Sequence, residues 1–449
     1  MNKLKAGFGR VNINSKHGIG LRGNGLIRPM DGVLDDLEIN VLAVSDGEST
    51  ALLIALDSCA IEWECAQEFK KSISSATGVP SKAIYIHAIH THTAPFLKKT
   101  TSDPLEREYF QFVNSKMVEA SALAINGMQP AKMGFNVGNA PEIAFVRRFL
   151  MKDGTTRTNP GINDPEVVRP IGAPDTRVNV LRFDIEGADS LVLVNYGNHP
   201  DVIGGCKLSA DWPGALRREV ERIIPGTKCI FFNGALGDVN HINIFPKIKG
   251  EERMSPSAFG HGYEYSQFMG RSLACAVAQV YDFAKYREVE SVAFAQKMVP
   301  VPTNMPTQNE IPRAHLTLKT YYEGGLDALP GDEMEQNTLY YEAKRMIDFE
   351  FGPEKIDVQI SAVAIGPVVL IGAPGESFTD TGIELKKTPG WDLVLPTSIT
   401  NGYYAYLPTK EAFDEGGFEA RTSEFKRGVA EIILNESQKI LNMLLKKVK

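Results

Sequence analysis

No stretch of this 449-residue sequence approaches the roughly 18 consecutive apolar residues of a membrane-crossing helix. A stable membrane anchor is therefore not expected. The opening Met1-Asn-Lys-Leu-Lys-Ala-Gly-Phe-Gly-Arg10 also lacks the apolar core of a secretion signal. Cysteine is scarce and unpatterned: Cys59, Cys65, Cys206, Cys229 and Cys275 are odd in number and form no Cys-x-x-Cys pair. That excludes a disulfide scaffold or a cysteine-rich zinc site, and sets the expectation of a reduced, cytoplasmic protein. Basic runs are missing apart from Lys446-Lys447-Val-Lys449, read as a frayed end. With a net charge of -7 and a pI of about 5.7, nucleic acid is not expected as a partner. Internal repeats, low-complexity tracts and clear linkers are absent as well, so one domain is expected to span 1–449.

What is present is an alternation of strands and helices. Leu37–Val44 and the fully apolar Leu52–Leu56 read as strands, with a helix from Ile61 to Thr77 closed by Gly78 and Pro80. A short apolar strand follows at Ala83–Ile86, then an amphipathic helix over 106–127. Further strands fall at Val178–Phe183, Leu191–Tyr196, Cys229–Phe232, Val358–Ala373 (two strands around Gly366-Pro367) and Leu393–Leu395. Helices are expected over 263–284, 377–388 and 422–447, and at Asp211, which reads as an N-cap. The fold class this implies is α/β, with mixed β-sheets flanked by helices. Residues 153–176 read as a long loop. Residues 300–336, punctuated by Pro300, Pro302, Pro306, Pro312, Pro330 and Gly324-Gly325, read as an excursion over the surface and a candidate lid.

Histidine is rare too, but three of the eight fall together in His87-Ala-Ile-His90-Thr-His92-Thr-Ala-Pro95, at the end of an apolar strand. In an extended chain His90 and His92 share a side and His87 faces the other way. Two imidazoles on one side suit a metal or acid/base site. Other polar groups end strands: His199 after Leu191–Tyr196, Glu376 after Val368–Ala373, and Tyr406 in a tyrosine-rich segment. In α/β sheets, ligands collect at the carboxyl ends of strands, so a metal site at the strand ends is expected. Each group also has a plain reading: His199 as a turn residue, Glu376 as an acidic residue opening a helix, Tyr406 as packing.

Taken together, His90-Thr-His92-Thr-Ala-Pro95, Asn195-Tyr-Gly-Asn-His199, Ala373-Pro-Gly-Glu376 and Asn401-Gly-Tyr403-Tyr404-Ala-Tyr406 resemble the motifs of the neutral/alkaline non-lysosomal ceramidase family, in its N-terminal catalytic domain. The resemblance begins at Gly7-Phe-Gly-Arg10 and covers most of the chain. It implies a zinc ion held by His90, His199, Glu376 and Tyr406, a catalytic role for His92, and a substrate-contacting Arg147. The departures are specific. Asn240, in Gly237-Asp-Val-Asn240, stands where the family has a serine, so Gly237 and Asn240 are expected beside the substrate. Phe418 stands twelve residues after the ligand tyrosine, where the family has another tyrosine. The family's C-terminal immunoglobulin-like domain and secretion signal find no match. This pattern is closer to a cytoplasmic bacterial branch of the family.

The expected activity is zinc-dependent hydrolysis of an amide or related C–N bond in a small, polar substrate. The alternative is hydrolysis or ring opening of a cyclic keto-polyol or sugar-derived carbonyl compound. A non-catalytic zinc protein is the rival class, though structural sites are usually closed by four Cys/His ligands. A third reading is a two-metal enzyme drawing on Asp57, Asp211 and Asp238.

Overall fold

A computed structural model describes residues 4–23, 27–246 and 260–448. Residues 1–3, 24–26, 247–259 and Lys449 lie outside them. The apolar runs assemble into two principal sheets. The larger has nine strands, with a path ordered Thr227–Asn233, Ser190–Tyr196, Arg177–Ile185, Gln129–Asn139, Lys5–Asn12, Glu38–Ser45, Thr50–Leu56 and Ile84–Ala88; Lys285–Arg287 pairs with Gln129–Asn139 off this path. The smaller has four: Val292–Pro302, Lys355–Ile365, Val368–Gly372 and Leu393–Thr397. Both mix parallel and antiparallel pairs, so the α/β expectation is met.

Alternation explains how the layers stack. Along the buried strand Lys355–Ile365, Val363 and Ile365 enter the core shared with the larger sheet. Ile360, Ala362 and Ala364 enter a second core, closed by Ile433, Ile440 and Leu444 of the helix Val429–Val448. A strand buried on both faces reads as a continuous apolar run. On the larger sheet, the helix Pro104–Asn126 lies close over Lys5–Asn12. A Cβ at Gly7 would stand 2.1 Å from the carbonyl oxygen of Ala124, which accounts for the glycine in the opening motif.

The larger sheet coils until its two edge strands meet, as accumulated strand twist allows. His87 joins them. Its Nε2 accepts from the backbone N–H of Asn233 at 2.9 Å, its Nδ1 lies 2.7 Å from the Ser398 carbonyl, and its ring stacks on Phe232. The Asn233 amide donates to the carbonyls of Ile89 and Asn198. This closure brings the ends of Ile84–Ala88 and Ser190–Tyr196 together, although they lie far apart in sheet order.

Several sequence expectations shift. Residues 153–176 hold the short strands Thr156–Thr158 and Val167–Pro170, which pair with Arg148–Met151. They are too short for a period-two signal. Residues 300–336, which show no period in sequence, hold regular structure. The strand Val292–Pro302 ends within them, and the helices Ile311–Gly324 and Glu333–Asp348 pack together through Ala314, Leu318, Ala343 and Met346. Pro312 sits in the first turn, where proline is tolerated. The C-terminal helix begins at Val429, after a separate short helix Phe418–Thr422. Asp211 is not an N-cap. It is the first helical residue, and its carboxylate accepts from the backbone N–H groups of Val202, Ile203 and Trp212.

Candidate metal and catalytic site

The strand into the histidines ends at Ala88, so His90 and His92 occupy the turn before Ala94–Leu97. Strand alternation is therefore not what brings them together. His90 adopts a left-handed backbone with φ 75°, a strained state for a non-glycine residue and common at functional sites. The two Nε2 atoms come to 3.3 Å of each other. His199 follows Ser190–Tyr196, and the three imidazoles form one buried group. Glu376 opens a two-residue strand in parallel register with Tyr406, its direct Cα partner. That strand, rather than the first turn of a helix, holds Glu376; the next helix begins at Thr379.

Asn401 couples these segments. Its Oδ1 accepts from Ile86 N–H at 3.0 Å, its own N–H donates to the Ile86 carbonyl, and its Nδ2 donates to Ser361. The tyrosine segment is thus tied to the histidine strand.

The donor set tests whether a cation fits. His90 Nδ1 lies 2.7 Å from the Cys59 carbonyl and His199 Nδ1 lies 2.8 Å from the Val239 carbonyl. Carbonyls only accept, so each Nδ1 carries the hydrogen and each neutral ring turns a bare Nε2 inward. His199 Nε2 then faces Glu376 Oε2 at 3.0 Å, and His90 Nε2 faces Oε1 at 3.4 Å. Lone pairs and a carboxylate crowd together, offset in part by an Arg147 N–H at His199 Nε2 and the Tyr403 hydroxyl at Glu376. The spacing is close to the roughly 3.3 Å edge of a tetrahedron with bonds of about 2.0–2.1 Å. The residues fit a divalent cation. Burial lowers the pKa of His90 and, more strongly, of His92. Burial alone would raise the Glu376 carboxyl, but His90, His199 and Arg147 more than offset it and hold it well below its usual range.

Arg147 is buried. Its Nε donates to Glu419 at 2.7 Å and its Nη2 to the Gly237 carbonyl at 2.9 Å, while Nη1 lies 3.3 Å from His199 Nε2 and the guanidinium sits over the Tyr406 ring. Tyr406 thus borders the histidine group beside Arg147. The tyrosine whose hydroxyl donates to Glu376 is Tyr403, at 2.8 Å. Burial raises both phenols well above their ordinary pKa. Gly237 gives its N–H to Ser377. Asn240 is fully buried; its Nδ2 donates to Asn159 and its Oδ1 accepts from Ile242 N–H. Phe418 packs against Tyr406 and Tyr341.

Sequence reasoning passed over Glu419 and Asp201. Asp201 lies two residues beyond His199, and its Oδ1 is 2.8 Å from His241 Nδ1, with His241 Nε2 3.3 Å from His261 Nδ1. An acidic residue that close to a candidate ligand was the available signal. The aspartates of the two-metal reading are committed elsewhere. Asp57 takes two bonds from Arg217, Asp211 accepts from the N–H groups of Val202 and Ile203, and Asp238 accepts from the N–H and hydroxyl of Thr379.

No protein-family model and no curated protein sequence matches this chain. Solved structures do. The crystal structure of neutral ceramidase from Pseudomonas aeruginosa superposes with a TM-score of 0.74 at 15% identity, covering 99% of this chain and 75% of that one. A second, a ceramidase complexed with C2, gives 0.73 at 13% identity, covering 98% and 75%. The chain has the neutral ceramidase fold. At these identities the likeness is one of fold, and within this ceramidase-like fold the buried histidine group is compatible with a metal site. Among the described residues, no helix is long and apolar enough to cross a membrane.

Proposed function

We propose that this chain is a zinc-dependent hydrolase, with His90, His199, Glu376 and Tyr406 as the metal-binding set. The observation that carries this reading is the set of hydrogen-free Nε2 atoms facing the Glu376 carboxylate. When bound, zinc supplies Lewis acidity, which lowers the pKa of water to about 7 and polarises a carbonyl. The remaining work falls to side chains. His92, kept neutral by burial, accepts a proton from the attacking water and passes it to the leaving nitrogen. The products are a carboxylic acid and an amine. Arg147, held by Glu419, presents a fixed cation to the developing oxyanion. Asn240 and Gly237 shape the wall behind Arg147.

The substrate is proposed to be small and polar. His92 is only 9% exposed, Arg28 donates to the His92 carbonyl and Arg147 Nη1 lies 3.3 Å from His199 Nε2. A cyclic keto-polyol or sugar-derived carbonyl compound is the second reading, favoured by the ring faces of Tyr341, Phe418 and Tyr406 beside those polar groups. One domain over 1–449 and a cytoplasmic location complete the proposal. Screening the zinc-loaded protein against amides, esters, lactones and cyclic ketones tests it. Turnover of an amide that is lost in His92→Ala supports the first reading. Turnover confined to cyclic ketones supports the second, and turnover of none contradicts both.

A further inference from the structure

His92 is gripped on both sides. From the interior, its N–H donates to the Pro200 carbonyl at 3.0 Å, and the hydroxyls of Thr91 and Thr93 both donate to the Ser209 carbonyl. From the other side, the strands Gly20–Arg22 and Arg28–Pro29 pair with each other, and the first also pairs with Ala94–Leu97, which continues directly from the histidine turn. Gly23 lies against the imidazole. Its φ is 116°, and a Cβ there would come within 2.4 Å of His92 Cγ. Arg28 supplies the second grip. Nη2 donates to the His92 carbonyl at 2.5 Å and to the Arg22 carbonyl at 3.3 Å, and Nη1 donates to the Gly205 carbonyl at 2.6 Å. Among the described residues Arg28 has no carboxylate partner. The two Nη groups serve three carbonyls, which ties the His92 turn, the covering strand and the 205 segment to one rigid plane.

We propose that Arg28 is the positioning residue for His92. By fixing the His92 carbonyl and holding Gly23 against the ring, it keeps the imidazole directed at the metal-binding group. This rests on the assignment of His92 as the proton carrier. General acid/base transfer needs placement at hydrogen-bond precision, and a 1 Å displacement is enough to lose much of it.

The test compares Arg28→Gln, Arg28→Lys and Gly23→Ala with His92→Ala, on the zinc-loaded full chain. Zinc content is expected to stay at the wild-type level in all. Carbethoxylation of His92 by diethyl pyrocarbonate, followed by peptide mass mapping, is expected to be about tenfold faster in Arg28→Gln and intermediate in Arg28→Lys, because a misplaced ring is no longer boxed in. Hydrolysis of an alkyl amide should fall roughly 10–100-fold in Arg28→Gln, while a nitrophenyl ester of the same acyl group, which needs proton removal from water but no proton at its leaving group, should fall by a clearly smaller factor. His92→Ala should show the same selectivity. An unchanged His92 modification rate, or equal losses on both leaving groups with zinc retained, would overturn the proposal. Should Arg28→Gln not fold, Gly23→Ala carries both readouts by pressing on the ring directly. If His92→Ala hydrolyses as well as wild type, the proton-carrier reading fails, while the modification rates still report on positioning.

Discussion

His90 shows how one residue serves the site through its backbone. Its left-handed conformation, not strand alternation, turns Nε2 toward His92, and the Cys59 carbonyl fixes which nitrogen is bare. The sequence reading paired the two histidines on an extended strand. The pairing holds, but for a different physical reason, and one that a 3.6 or 2.0 periodicity does not encode. The two tyrosines separate by role. Tyr406 is assigned to the metal set and Tyr403 to the carboxylate behind it, so the account expects different losses. Tyr403→Phe removes an outer hydrogen bond to Glu376 and should weaken zinc about tenfold. Tyr406→Phe removes the proposed ligand and should weaken it considerably more. Competition with a chromogenic chelator measures both, and the reverse ranking would reassign the ligand to Tyr403.

At the scale of elements, the site depends on joins between segments distant in sequence. Asn401 holds the tyrosine segment to Ile86. In Asn401→Ala the buried Ile86 N–H loses its partner, and stability should drop by about 2–3 kcal/mol in denaturant titration. A second element-scale prediction concerns the helix Trp63–Thr77, which buries Lys70 against the strand Lys355–Ile365 with Gln359 Oε1 at 3.1 Å. Burial pushes the Lys70 amine down from 10.5 to about 7. The unfolded chain therefore binds more protons than the folded one between pH 7 and 10.5, and stability should rise with pH across that window. At one pKa unit per 1.36 kcal/mol, the difference is at most about 5 kcal/mol. Lys70→Met should raise the Tm at pH 7 and flatten this pH dependence. A Tm that falls, with the slope intact, would show that the amine is not the source.

At the scale of the whole molecule, the sequence made the motif-bearing strand ends visible because each carries an apolar run followed by a polar residue. What it did not show was why they meet. Closure of the larger sheet depends on His87 reaching Asn233, a contact across 146 residues. From sequence, His87 is expected only to face away from His90 and His92, and it is the clasp between sheet edges. The paired helices Ile311–Gly324 and Glu333–Asp348 were also hidden, because they bury only a few apolar side chains and their prolines look like breakers. Asp57, Asp211 and Asp238 could not be distinguished from metal ligands until their partners were seen. Since Arg217 and backbone or threonine donors occupy them, Asp57→Asn should destabilise the fold by about 1.5–3 kcal/mol by weakening two charge-assisted bonds while Arg217 keeps Glu38 at 3.3 Å, with no change in metal stoichiometry.

The central claim is that one cation is held where His90, His199 and Glu376 converge. Elemental analysis of the folded protein after zinc loading and desalting tests it directly. The account predicts one zinc per chain in the wild type and its loss in His90→Ala, with circular dichroism unchanged. Full zinc content in folded His90→Ala, or two zinc ions per chain in the wild type, would contradict it.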